Sequence, residues 1–207
     1  MLNKARIAVL VSGGGTNLQA LIDAQHTGLL KSGEICLVIS NNQDAYALER
    51  ADKAGIPACV ISKKQLGSQQ AFEEKLLEML KREEIDLIVL AGFMTILSEN
   101  ITRLYPRRIL NVHPALIPSF CGKGMYGLKV QEAALNYGVK VTGATVHFVN
   151  EIPDGGEILL QHPVFVQPGD TPERLQRRVM EEAEWVILPR AVEQVSREIM
   201  NEKESAL

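Results

Sequence analysis

Arg108-Ile109-Leu110-Asn111-Val112-His113-Pro114, followed by Ala115-Leu116-Ile117-Pro118, reads as a strand running out of a sheet. Ile109, Leu110 and Val112 supply the apolar side chains of a buried strand, and two prolines stop it. Proline has no N–H to give a ladder and drives its predecessor out of the α region, so His113 belongs at a strand end or in a turn. Asn111 and His113 are two residues apart and therefore share one side of the strand. An amide donor and a titratable imidazole thus stand together where ligand crevices open in α/β sheets. A strand end whose polar groups only satisfy the turn would use the same residue types.

On the N-terminal side, apolar runs alternate with helical patterns. Arg6 to Val11, Glu34 to Ser40, Ala58 to Ile61 and Asp86 to Ala91 are strands. Between them a helix opens with a cap at Thr16, and Ala45 to Ala54 is helical and stops at Gly55. Ser68 to Arg82 carries Phe72, Leu76, Leu77 and Leu80 on an inner stripe. A short helix from Ser98 to Leu104 leads into the opening strand. This alternation predicts βαβ units, hence the α/β class with a right-handed, mostly parallel sheet.

On the C-terminal side, the glycine- and proline-rich Pro118 to Gly127 is expected to be a mobile loop over the site. Leu128 to Tyr137 is helical and stops at Gly138. Val141 to Val149 alternates as a strand does, Glu151 to Gly156 is a turn, and Ile158 to Val166 returns antiparallel. From a cap at Thr171 runs a long helix with Leu175, Val179, Val186, Ile187 and Leu188 inward, interrupted at Pro189. The tail from Asn201 is expected to fray. No repeat or second domain is evident, so 1–207 reads as one domain.

The chain has 207 residues, 46% of them hydrophobic and 23% charged, as in an ordinary globular protein. A net charge of −3 argues against a general nucleic-acid or membrane-surface binder. Cys36, Cys59 and Cys121 are too few and too scattered for a disulfide framework or a zinc site, so no metal is expected. The apolar run Ile7 to Val11 is too short for a signal core, and no window approaches the roughly 18–20 apolar residues of a membrane span. Cytoplasm is the expected compartment.

Ser12-Gly13-Gly14-Gly15 joins the first strand to the first helix. Glycines let the backbone turn tightly and approach a ligand, and a helix start offers free N–H groups to an anion. A Walker loop would need a lysine where Thr16 and Asn17 stand, and a dinucleotide fingerprint would need glycine in place of Leu18. A phosphate monoester stays open, and so does a turn needed only for packing.

Among the four histidines, His26 and His162 have no chemical companion nearby, and His147 sits among apolar neighbours as a satisfied interior histidine would. His113 has Asn111 beside it, and Asp154 lies in a glycine turn able to reach the same crevice. An amide N–H and an imidazolium can stabilise an oxyanion, while a carboxylate can raise an imidazole pKa and accept a proton. Ser12 lies in no nucleophile elbow and Cys121 lacks a recognisable base. Direct transfer to a substrate amine, without a covalent enzyme intermediate, is the chemistry these groups suit.

Asn111-Val112-His113-Pro114-Ala115-Leu116-Ile117-Pro118 resembles the Asn-x-His-Pro signature of the folate-dependent formyltransferases, and Val146-His147-Phe148-Val149 with Asp154-Gly155-Gly156 resembles their second signature. Val9 to Ala20 and Leu90 to Leu97 are similar to the corresponding segments of the phosphoribosylglycinamide formyltransferases in particular. The resemblance covers nearly the whole chain. It implies a Rossmann-like fold: a mostly parallel twisted sheet, helices on both faces, and an antiparallel C-terminal strand extension. It also implies formyl transfer from 10-formyltetrahydrofolate to the amine of glycinamide ribonucleotide in purine biosynthesis.

Carried over by residue, the resemblance gives Asn111 and His113 the oxyanion, and gives Asp154 the task of holding His113 protonated and moving protons. Gly15, Thr16, Asn17 and Glu184 would bind the phosphoribosyl substrate. Met94, Thr95, Ile96, Leu97, Asn111 and Gln69 would bind the folate co-substrate, with the Val141 to Val146 region closing that pocket. Residues 1–110 would be mainly the phosphoribosyl half and 111–207 the catalytic and folate half. The implied partners are small molecules, with no nucleic acid and no membrane, on a monomer or homodimer. Thr95 replaces a usual Arg, Gln69 a usual basic residue and Trp185 a usual His, and Phe120 to Gly127 replaces a shorter, histidine-containing loop in which Lys123, like nearby Lys129, could meet an anion. A hydrolase on the same scaffold, a methionyl-tRNA enzyme (which would need a further C-terminal domain and a basic surface) and a non-catalytic phosphometabolite-binding domain are the competing readings.

Overall fold

A computed structural model describes residues 4–205. In chain order they form β1 (Ala5–Val11), α1 (Thr16–His26), β2 (Gly33–Ser40), α2 (Tyr46–Lys53), β3 (Ala58–Val60), α3 (Lys63–Leu66), α4 (Gln69–Arg82), β4 (Leu87–Leu90), α5 (Glu99–Thr102) and β5 (Ile109–His113). Then follow α6 (Leu128–Tyr137), β6 (Val141–Phe148), β7 (Ile158–Phe165), α7 (Pro172–Val179), a π-helical turn (Met180–Glu184) and α8 (Trp185–Ser205).

The seven strands make one sheet in the order β3-β2-β1-β4-β5-β6-β7. Pairing is parallel from β3 through β5, and antiparallel between β5 and β6 and between β6 and β7. Alternation along β1 shows why both faces are covered. Ile7, Val9 and Val11 join one core with Leu18, Leu21, Leu175 and Leu188, while Ala8 and Leu10 join the other with Phe72, Leu76 and Leu80. The chain winds outward from β1 to β3 and then restarts at β4, so the strand order reverses between β1 and β4. That reversal leaves a crevice outside the carboxyl ends of the central strands.

Three expectations need correction. Thr16 does not cap α1: the cap is Gly15, in a left-handed conformation (φ 71°), and Thr16 is the first helical residue. The last helix is not interrupted at Pro189, which lies inside α8; the irregularity is the π turn just before it. A proline lacks the N–H of a regular helical turn, and a widened turn ahead of it absorbs the misfit. The helix also does not fray at Asn201 but runs to Ser205, because Lys203 Nζ reaches Asp86 at 2.6 Å and Glu202 meets Arg108 at 2.5 Å. By contrast, Ser68, Ser98 and Thr171 each accept a backbone N–H as helix caps, a contribution of about 1 kcal/mol apiece. Among the described residues, no helix is long and apolar enough to cross a membrane.

Candidate active site

β5 carries Asn111 and His113 to the carboxyl edge, and β6 runs back beside it with Asn111 opposite His147 and His113 opposite Thr145. The turn after His113 is stitched to β6 by Thr145, whose Oγ1 donates to the Ala115 carbonyl at 2.7 Å and accepts from Ile117 N at 3.1 Å. Asp154 arrives from the turn after β6 with a positive φ of 57°. Gly156 lets that turn close, since a Cβ there would lie 1.7 Å from the Phe148 carbonyl oxygen.

These elements put one carboxylate between two imidazoles. Asp154 Oδ2 is 3.5 Å from His113 Nδ1, and Oδ1 is 3.5 Å from His147 Nε2. Asn111 Nδ2 lies 3.4 Å from Asp154 Oδ1 and 3.1 Å from His147 Nε2. His113 and His147 are buried at 4% and 1% exposure. Burial pushes the Asp154 carboxyl up, but the contact with His147, the Gly122 N–H and the neighbouring His113 ring outweigh it. The group is held below the usual carboxylate range. Asp154 is thus an anion at neutral pH, with acceptor capacity next to two titratable rings.

The Phe120 to Gly127 segment closes over this cluster. His113 Nε2 meets the Phe120 carbonyl oxygen at 2.8 Å, and Gly122 N donates to Asp154 Oδ2 at 2.8 Å. The expected mobile loop is therefore docked on two site side chains through its main chain.

Beside the cluster is a cavity of about 120 Å³ whose lining includes Met94, Thr95, Ile96, Leu97, Asn111 and Asp154. The expected folate-binding run Met94–Leu97 shares this space with Asn111 and Asp154, while His113, the third expected catalytic residue, is not among the lining residues. The Met94–Leu97 loop is fixed from behind: Met94 N donates to Ser12 Oγ at 2.8 Å, and Glu73 accepts from Ser98 N and Oγ at 2.8 and 2.6 Å. Gln69 does not line the cavity. Its amide donates to Glu73 at 2.6 Å and to the Ile96 carbonyl at 3.0 Å, so it braces the loop. Nor does the Val141 to Val146 region close the pocket. That end of β6 lies under the Ala115–Ile117 turn, with Gly143 against Leu116, and the wall is made by His147, Val149, Asn150, Ile152 and Pro153.

At the β1 end of the crevice, Gly15 packs so tightly on α2 that a Cβ would meet Ala47 Cβ at 2.6 Å. Arg50 Nε donates to the Gly14 carbonyl at 2.8 Å, which sets a guanidinium beside the loop. The first N–H groups of α1 have no partner within the helix. Asn17 donates to Glu184 Oε2 at 2.7 Å, joining α1 to the π turn across 167 positions. Burial pushes the Glu184 carboxyl up, opposed only by that hydrogen bond. Among the described residues, no group of three His, Cys, Asp or Glu side chains is arranged to hold a metal ion.

Sequence reading missed His147 and Glu73. The register that sets His147 against Asn111 is a long-range fact, though the adjoining Phe148 to Gly156 turn carried the hint. Glu73 had no signal beyond an acid on the inner side of an amphipathic helix.

A model of the family described as "Formyl transferase" matches residues 5–192. The chain is similar to the phosphoribosylglycinamide formyltransferase of Haemophilus influenzae, 42% identical over 184 residues that span 89% of this chain and 84% of that protein. It is also similar to the crystal structure of glycinamide ribonucleotide transformylase 1 from Symbiobacterium toebii. That likeness has a TM-score of 0.87 and 43% identity, and covers 94% of this chain and 88% of the other. Some curated relatives are much longer: the chain spans 61% of a chloroplastic phosphoribosylglycinamide formyltransferase from Arabidopsis thaliana. It spans 19% of a trifunctional purine biosynthetic protein from Gallus gallus, to which it is 44% identical over 194 residues. On the extent of these matches, the chain belongs to the formyl transferase family, on the branch of the phosphoribosylglycinamide formyltransferases.

Proposed function

We propose that the chain transfers the formyl group of 10-formyltetrahydrofolate to the amine of glycinamide ribonucleotide, within de novo purine biosynthesis. The observation that carries this reading is the Asp154 carboxylate facing His113, His147 and Asn111 at the wall of the Met94–Leu97 cavity. The folate is a substrate of this reaction, and residues 94–97 would hold its pterin end with Asn111 beside the formyl group.

In the step itself, the amine nitrogen attacks the formyl carbon and the carbonyl oxygen becomes an oxyanion. Asn111 Nδ2–H and the protonated His113 ring are the donors for that oxygen, and positioned donors are the largest contribution to acyl-type transfer. Asp154, an anion beside both rings, takes the proton of the attacking amine. The proton passes, directly or through water, to N10 of the folate as the C–N10 bond breaks. Tetrahydrofolate and the formylated amine leave. His113 Nε2 is occupied by the Phe120 carbonyl, so its use toward substrate requires that loop to shift. Gly15, Thr16 and Asn17 would take the phosphate on the N–H groups of the α1 start, with Glu184 beneath them toward the ribose.

The experiment is an assay of 10-formyltetrahydrofolate with and without glycinamide ribonucleotide, following folate release and formylated product. Release that depends on the ribonucleotide and equals product supports the transferase. Release of formate without it would assign water as the acceptor and overturn this reading.

A further inference from the structure

His147 has a role in the site that its apolar surroundings conceal. Its Nδ1 lies 2.9 Å from the Phe148 carbonyl oxygen, which can only accept, so Nδ1 carries a proton. In the neutral ring, Nε2 is then a lone pair, and it sits 3.1 Å from Asn111 Nδ2. The Asn111 amide cannot be turned round without cost. Its Oδ1 would then face the Asp154 carboxylate oxygen that now lies 3.4 Å from Nδ2. One Nδ2 hydrogen is therefore committed to His147, while the other is held only by the long contact to Asp154.

Two backbone features aim the ring. The β6–β7 register slips between Val146 and His147, where the partner steps from Leu160 to Ile158, a bulge of the kind that redirects a side chain. The Phe148 carbonyl that fixes Nδ1 is also the atom over which Gly156 closes the Asp154 turn. The groups facing the ring are Asn111 from β5, Asp154 from the turn and, beyond that carboxylate, His113.

We propose that His147 is a positioning residue for formyl transfer, its neutral Nδ1–H ring taking one hydrogen of the Asn111 amide and leaving the other for the substrate oxygen. This rests on the formyl-transfer reading above and adds a residue that acts through Asn111. It accounts for a histidine at 1% exposure with both nitrogens engaged at the wall of the cavity.

The test is a double-mutant cycle on kcat together with ¹⁵N NMR of the wild-type protein. His147→Ala should lower kcat about tenfold, the size of one lost orienting hydrogen bond, with KM for both substrates little changed. In an Asn111→Ala background the same change should lower kcat less than about twofold, since residues acting as a unit are not additive. His147→Gln, which offers an amide oxygen, should recover part of the loss. Independent, additive effects would overturn the proposal. The spectra should show His147 as the Nδ1–H tautomer, and a proton on Nε2 of the neutral ring would overturn it even if His147→Ala fails to fold. Because the tautomer is read without turnover, a wild-type protein that transfers no formyl group would count against the function and not against this contact.

Discussion

The Phe120 carbonyl oxygen lies 2.8 Å from His113 Nε2, so a loop main-chain atom occupies the ring position that points away from Asp154. A carbonyl cannot donate, which requires a proton on Nε2 whatever the charge of the ring. His113 and His147 should therefore be opposite tautomers when neutral. The ¹⁵N shifts of the two rings check this, with His113 expected to show a protonated Nε2. A neutral His113 with a bare Nε2 would mean that the loop is not docked there in solution.

Asp154 gives a pH prediction with a definite sign. Its folded-state pKa lies below the ordinary carboxylate value, so its contribution to stability is complete above about pH 4 and is lost as pH falls through the folded pKa. In urea titrations, the stability difference between wild type and Asp154→Asn should shrink as pH falls below about 4. The same variant should lose about 10²–10⁴ in kcat, the range for a proton-transfer group, while keeping its fold. Near wild-type turnover would remove Asp154 from the chemistry.

How far the sequence could be read follows from the range of the interactions. α6 matches its expected bounds at Leu128 and Tyr137 because its stop, Gly138, is local and takes a φ of 82°. The caps at Ser68, Ser98 and Thr171 are local in the same way. The π turn at Met180–Glu184 has no comparable signature, and Gly15 displaced Thr16 as cap because α2 presses on it through Ala47. The end of α8 depends on Asp86, 117 positions away from Lys203. Asn111 and His113 announced themselves by spacing on one strand. His147 became a site residue only through strand register, and Gln69 became a brace only because Glu73 and Ile96 converge on it.

Glu184 carries the opposite pH sign to Asp154. Its carboxyl is raised by burial, so between the ordinary glutamate value of about 4.3 and its folded pKa the folded chain holds a proton that the unfolded chain releases. Stability is greatest below that window, falls as pH rises through it, and then levels. Glu184→Gln abolishes this titration, keeps an acceptor for Asn17 Nδ2, and offers a donor to Asn17 Oδ1, which is buried without a partner. The melting temperature of the variant should match wild type near pH 4 and exceed it by a margin that grows toward neutral pH. A margin independent of pH would show that Glu184 does not titrate in the folded chain. If the carboxyl also meets the ribose, KM for the ribonucleotide should rise in the same variant without a matching loss of kcat.

Gly156→Ala tests whether the Asp154 turn is built by close approach to β6. The added methyl would fall 1.7 Å from the Phe148 carbonyl oxygen and 2.8 Å from its carbon, so backbone must move. Two consequences follow from that displacement. The Phe148 N–H bond to the Glu157 carbonyl, now 2.9 Å, is weakened, and stability should fall by about 2–3 kcal/mol, a Tm loss of roughly 5–10 °C for a chain of this size. Asp154 should also shift by a fraction of an ångström relative to the two imidazoles, and a misplacement near 1 Å can cost about 10²-fold in rate. Gly14→Ala is the control, because a Cβ there meets nothing within 4 Å and should leave stability within about 0.5 kcal/mol. Thermal melts and kcat on both variants decide it. If Gly156→Ala is as stable and active as Gly14→Ala, the Asp154 turn is held by something other than its seat on the Phe148 carbonyl.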